Sequence, residues 1–247
     1  MMDLLQFHDG LRKFSKVLTL EEITDLCRFF CQKMGFDTVI YALRLPASFS
    51  ESRLIIVNGG YPERWLARFW ERGYGHCDPV IAHCLRSSVP LHWRDLVVAK
   101  PSIGHSIMNE AAEFGLRSGI TMPVHSAQGE LGIFSMTLDR CSPQADKLIE
   151  QATPYVHVLA WYLHEAVRRV DGVTAQPLGR QLSSREQECL RWAADGKTSW
   201  EIGRLLGTAE RTVNFHFNNA MQKLGVSNRQ HAVAKAVFQG LINPQPF

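Results

Sequence analysis

The sequence contains no CxxC pair, no internal repeat and no apolar run near the roughly 18 residues that a membrane-spanning helix needs. Its opening, MMDLLQFHDG, lacks the basic start, apolar stretch and cleavage site of an export signal. Six cysteines among 247 residues are too few for a disulfide framework, so reduced thiols are expected. GxSxG, HExxH, GxGxxG and the phosphate loop are all missing, which argues against catalysis. The expectation is a soluble cytoplasmic protein with no cofactor, no resident metal and no membrane partner.

What is present is an ordinary globular composition, 45% hydrophobic, 10% aromatic and 21% charged, in a chain long enough for two domains. The stretch VDGVTAQPLGRQ, with two glycines and a proline, reads as a linker over residues 171–181. It separates a first unit, residues 1–170, from a tail, residues 182–247. Up to residue 177 the chain carries 18 Lys and Arg against 19 Asp and Glu; beyond it the count is 9 against 5. A basic tail suits an anionic partner.

In the first unit the spacing of Ile23, Leu26, Cys27, Phe30 and Met34 predicts an amphipathic helix over 20–34, ended by Gly35. Strands are expected at 38–45, 53–58, 119–125 and 131–138, the last two joined by the turn at 126–129. Residues 61–85 read as helical and aromatic, and Ser142-Pro143 opens a long helix to Val170. Strands and helices without strict alternation predict an α+β class, with an antiparallel sheet sandwiched by helices.

The tail reads as four short helices. Ser183 with Glu186, and Thr198 with Glu201, are capping boxes, and Gly207 ends the second helix. Thr208 is placed to cap the third. Along that helix Val213, Phe217, Ala220, Met221 and Leu224 form one apolar face, and a fourth helix is expected over 228–238. Two short helices with a glycine turn between them make a helix-turn-helix. Its outer face offers Arg211, Thr212, Asn214, Phe215, Asn218 and Gln222. Asparagine can bond adenine through two atoms, worth about 1–3 kcal/mol of discrimination, so Asn214 and Asn218 are candidate base readers. Lys197, Thr198, Arg211, Thr212, Lys223 and Arg229 are candidates near phosphates.

Leu182-Ser-Ser-Arg-Glu186, Leu190-Arg-Trp-Ala-Ala-Asp-Gly196-Lys-Thr198, Glu201-Ile202, Thr212-Val-Asn-Phe-His216 and Lys223-Leu224 resemble the DNA-binding domain of LuxR-type regulators over nearly the whole tail. In the first unit, Gly60-Tyr61-Pro62-Glu63-Arg64-Trp65, Cys77-Asp78-Pro79-Val80, Leu91-His-Trp93 and Gly119-Ile-Thr-Met-Pro123 resemble the autoinducer-binding domain of the same family. The resemblance implies a quorum-sensing regulator that binds an N-acyl-homoserine lactone. It also implies a homodimer on an inverted repeat of double-stranded DNA, with RNA polymerase as a further candidate partner.

Before any family is considered, Tyr61 and Trp65 lie one turn apart, and Asp78 precedes a proline at a helix start, where capping and ligand binding are both open. Ser135 shares a strand face with Leu131 and Ile133, where a lone serine is most often structural. The resemblance implies finer roles. Trp65 would donate to the lactone carbonyl and Asp78 would accept from the amide N–H. Tyr61 and Ser135 would donate to the amide carbonyl, and Trp93 would wall the ring. Tyr41, Leu43, Ile55, Val57, Ile81 and Ile133 are candidate walls for the acyl chain, with the sheet core as the other role open to them. One member of the family has an arginine after the pocket tryptophan, a threonine after the Asp-Pro pair and a glycine in the first strand. This chain has Leu66, Val80 and Leu43, which removes the basis for a 3-oxo preference and suggests a narrowed tail channel.

Three rival readings are weaker. His76-Cys77 and His83-Cys84 lack the close spacing of a structural zinc site. The strand at 38–45 is followed by Pro46-Ala-Ser rather than the acidic cluster of a phosphoryl receiver. A lactone hydrolase would require a metal or a nucleophile with a base, which the motifs do not supply.

Overall fold

A computed structural model describes residues 3–46, 51–126, 129–172 and 182–242. The expected linker falls mostly on 173–181, and the turn at 126–129 includes 127–128; these lie outside the described residues. The described residues form two compact units, 3–126 with 130–172 and 182–242.

The first unit is an antiparallel sheet between two helical layers. Its strands are β1 (Thr38–Pro46), β2 (Ser52–Asn58), β3 (Leu91–His92), β4 (Ser118–His125) and β5 (Leu131–Leu138), in the spatial order β2-β1-β5-β4-β3. Helices α1 (Leu4–Lys13), α2 (Leu20–Met34) and α6 (Pro143–Val170) cover one face. Short helices α3 (Glu63–Glu71), α4 (Pro79–Cys84) and α5 (Ile103–Glu113) belong to the other. Local chemistry places the helix ends: Thr19 and Glu22 form a capping box on α2, Gly35 closes it at φ +84°, and the Ser142 hydroxyl caps α6.

Expectation and structure differ in detail. A fifth strand, β3, is only two residues long and gave no pattern. Helices α1 and α5 were also not anticipated. The stretch 61–85 is not one helix but α3, a turn at Tyr74–His76 and α4, broken where Gly73 takes φ +63°.

Alternation along β1 decides what each face touches. Val39, Tyr41, Leu43 and Leu45 join Ile55 and Val57 of β2 in the core beneath α1, α2 and α6. Cross-strand register places Ile40 opposite Ser135 and Ala42 opposite Ile133, so these share the opposite face.

In the second unit, α7 (Ser184–Ala194), α8 (Ser199–Leu206), α9 (Glu210–Leu224) and α10 (Arg229–Phe238) enclose Leu190, Ile202, Val213, Phe217, Ala220, Leu224 and Ala232. Both expected capping boxes form. The cap of α9 is Ala209, without a side-chain bond, rather than Thr208. A Cβ on Gly203 would lie 2.8 Å from the Thr208 carbonyl oxygen, so only glycine lets α8 approach the turn this closely.

Candidate ligand cavity and nucleic-acid face

Between the sheet and α3–α5 lies a cavity of about 600 Å³. Ile40, Ala42, Leu54, Ile56, Ile133 and Leu131 supply its sheet wall; Trp65, Leu66, Phe69, Ile81 and Ile107 supply the opposite one. Arg44 and Ser52 line it further along β1 and β2, while Tyr61, Trp65, Asp78, Trp93 and Ser135 bring polar groups toward the Ser135 end of the strands. Each of the latter has an identifiable local support.

Tyr61 is held by the loop after β2. The Asn58 carboxamide accepts from Gly60 N at 3.0 Å and Tyr61 N at 2.8 Å, and donates to the Tyr61 carbonyl at 3.0 Å. Its hydroxyl lies near Thr137 and Ser135 and is buried with no hydrogen-bond partner among the described residues. Burial pushes its pKa far up, so it remains a neutral donor at working pH. Trp65 is wedged by rings: Phe69, Phe114 and Tyr74 lie 5.9, 5.7 and 6.2 Å away. Tyr74 is anchored by donating to Glu110 at 2.8 Å.

Asp78 caps α4, accepting from Val80 N at 2.6 Å and Ile81 N at 3.2 Å. Both donors fall on Oδ1, and Oδ2 accepts no hydrogen bond among the described residues. Burial raises its pKa, with the two amides opposing. Trp93 Nε1 donates to Thr121 Oγ1 at 2.9 Å, and Thr121 is 2.8 Å from Ser135 Oγ. Either hydroxyl can donate in the Thr121–Ser135 bond; when Thr121 donates, the Ser135 hydroxyl is free to donate into the cavity.

The five candidate head-group residues, Tyr61, Trp65, Asp78, Trp93 and Ser135, therefore line one cavity, together with Ile81 and Ile133. The other four candidate tail walls do not. Tyr41, Leu43, Ile55 and Val57 point to the opposite face by strand parity, so Leu43 does not narrow the channel. Tyr41 is instead committed to a buried network. Its hydroxyl is hydrogen-bonded to His164 Nδ1 at 2.7 Å, and the other ring nitrogen faces Glu130 at 3.5 Å. Burial lowers the His164 pKa and keeps the ring neutral, against the pull of Glu130. Arg168 Nε completes the group at 2.8 Å from Glu130. Among the wall residues that sequence reading missed are Ile40, Ala42, Arg44, Leu54 and Ile56 on the sheet side, and Thr121 was missed as the bond partner of Trp93 and Ser135. Parity with Ser135 was the signal that would have found them.

In the second unit, Arg211, Thr212, Asn214 and Asn218 stand on the exposed side of α9, with Phe215, which is 59% exposed. Lys197 and Thr198 are exposed at the start of α8, where the Thr198 hydroxyl accepts from Glu201 N. Two cations expected near phosphates are engaged elsewhere. Lys223 Nζ is 2.7 Å from the buried Glu186 carboxylate. Arg229 lies over the Phe217 ring at 4.1 Å and donates to Ser199 Oγ and the Lys197 carbonyl. Each ties helices together, and the desolvation that accompanies this lowers the Arg229 pKa. Among the described residues no three His, Cys, Asp or Glu side chains gather as a metal site, His76, Cys77, His83 and Cys84 included. No described helix is long and apolar enough to cross a membrane.

A cavity with a polar end in one unit and a helix-turn-helix in the other define the class: a transcription regulator that answers a small molecule. Comparison with known proteins gives the family. Residues 19–167 match the autoinducer binding domain, and residues 180–236 match the bacterial regulatory proteins of the luxR family. The transcriptional activator AhyR of Aeromonas hydrophila is 36% identical over 97% of this chain and 93% of its own. LuxR of Aliivibrio fischeri is 31% identical over 83% and 81%. Escherichia coli SdiA has a similar structure, with 26% identity, a TM-score of 0.74, and coverage of 96% and 98%. The chain belongs to the LuxR family, an autoinducer-responsive transcription regulator rather than an enzyme.

Proposed function

We propose that the autoinducer is an N-acyl-homoserine lactone and that the protein acts as a homodimer on an inverted-repeat operator. Residues 1–170 would hold the signal, 182–247 the DNA, with 171–181 between them. The observation that carries the ligand reading is the Tyr61 hydroxyl, buried beside Ser135 with no hydrogen-bond partner among the described residues, in a mostly apolar cavity that Asp78, Ser135 and Arg44 also line. Such a donor requires an acceptor from a guest. An amide fits: its carbonyl accepts from Tyr61 and Ser135, its N–H donates to Asp78 Oδ2, and the lactone carbonyl accepts from Trp65. Trp93 walls the ring, and Leu66 and Val80 give a 3-oxo group no polar partner.

Exposed Val158, Trp161 and Tyr162 form one apolar stripe on α6 that suits a second copy, and α10 is a further candidate contact. Two copies would present their α9 helices about 34 Å apart, hence an inverted repeat. Asn214 and Asn218 would read bases, while Lys197, Thr198, Arg211 and Thr212 meet phosphates. RNA polymerase is a further proposed partner.

A similar structure is SdiA in complex with octanoyl-rac-glycerol, 25% identical with a TM-score of 0.75. Thermal unfolding with octanoyl-homoserine lactone, octanoyl-glycerol and octanoic acid separates the ligand classes. A lactone at 100 times its dissociation constant should add about 2.7 kcal/mol of stability. Equal stabilisation by the glycerol ester or the acid would overturn the lactone reading.

A further inference from the structure

The sheet wall of the cavity changes character at one residue. Along the cavity face of β1, Ile40 pairs with Ser135, Ala42 with Ile133, and Arg44 with Leu131 on one side and Leu54 on the other. All of these line the cavity. The rungs therefore run from polar, through apolar, to a guanidinium set between two leucines. Arg44 is exposed and has no ion pair or hydrogen bond with the described residues.

We propose that Arg44 is the residue that sets the length of acyl chain the cavity accepts, a reading that rests on the lactone assignment above. Its aliphatic stem packs beside the last carbons of the chain while its head stays in water. A longer chain would have to cover the guanidinium with methylenes and strip its water, with no ion-pair partner among the described residues to compensate. From the Ser135 rung to the Arg44 rung is four residues, about 13 Å at strand rise. An extended chain with C–C bonds of about 1.5 Å advances roughly 1.25 Å per bond, so about ten carbons reach the guanidinium.

The test is a titration of the full-length protein with unsubstituted acyl-homoserine lactones from six to sixteen carbons, followed by calorimetry. Each added methylene should tighten binding by about fourfold until the chain reaches Arg44, and affinity should then fall. In Arg44→Leu the rise should continue into the longer chains, with at least a tenfold gain for the longest, while six- and eight-carbon ligands stay within about threefold. Arg44→Lys should keep the break. An unchanged break in Arg44→Leu, or an equal change at every length, would overturn the role of Arg44 while leaving the lactone assignment intact. Absence of binding by wild type at every length would overturn that assignment, and this proposal with it.

Discussion

Replacing Tyr61 by Phe should move the empty and the occupied protein in opposite directions. The Tyr61 hydroxyl is buried with no partner among the described residues, a state that costs about 1–3 kcal/mol in the empty protein. Tyr61→Phe keeps the ring that packs beside Trp65 and removes only the oxygen. The empty protein should therefore gain stability, at roughly 2–4 °C of melting midpoint for each kcal/mol in a protein of this size. With a lactone bound, wild type has already satisfied the hydroxyl, so the variant gains nothing there. The difference appears as lost affinity, about five- to 140-fold for the same 1–3 kcal/mol. Differential scanning calorimetry with and without ligand reads both numbers on one sample. A variant that melts lower when empty, yet is stabilised by the lactone as much as wild type, would refute the reasoning.

Asp78→Asn should keep the cap on α4, since Asn caps as well as Asp, but lose the charge that faces the ligand amide. Burial raises the Asp78 pKa in the empty protein, so its ionisation costs stability as pH rises from the ordinary carboxylate range through that raised pKa. Wild-type lactone affinity should strengthen over the same window as the acceptor ionises, and the Asn variant should show a weak, flat profile by calorimetry between pH 4.5 and 7. In the other unit, Glu186 is held below the usual carboxylate range: burial opposes this, but Lys223 and the Ser183 amide prevail. That contribution is present above the unfolded pKa and is lost as pH falls through the depressed one. Lys223→Met should therefore cost about 3 kcal/mol at pH 7 in urea unfolding, with a gap that narrows in acid; no loss at pH 7 would disprove the buried pair's role. Asn214→Ala should relax base preference at one operator position by about 1–3 kcal/mol while sparing nonspecific affinity in binding assays. A uniform drop across sequences would assign Asn214 to phosphate.

The helices were legible where their signals are local. Ser142-Pro143, the two capping boxes of the tail and Gly207 act within a turn or two, and the structure shows them acting. The head-group residues were brought together by the family resemblance rather than by local pattern, since on its own chemistry Asp78 read equally as the helix cap that it is. The faces of β1 and β2 were not legible. Thr38–Pro46 is apolar on both sides because one face meets a helical layer and the other a cavity, so the period-two signal is erased. Only pairing with β5, 99 residues away at Thr38 and Thr137, fixes which side chains look inward. Lys223 and Arg229 illustrate a similar limit. A cation on a short helix reads as solvated until tertiary structure supplies Glu186 or the Phe217 ring.

The division of Asp78 between its two oxygens means that the carboxylate proposed to recognise the ligand is also a builder of its own surroundings. One oxygen holds the first turn of α4 in place before any guest arrives, and the other stays available. An incoming molecule thus meets a carboxylate whose orientation is already fixed, and little of its binding energy goes into ordering that turn. Selectivity at this end of the chamber can then arise from rejecting poor partners quickly, rather than from remoulding the protein around good ones.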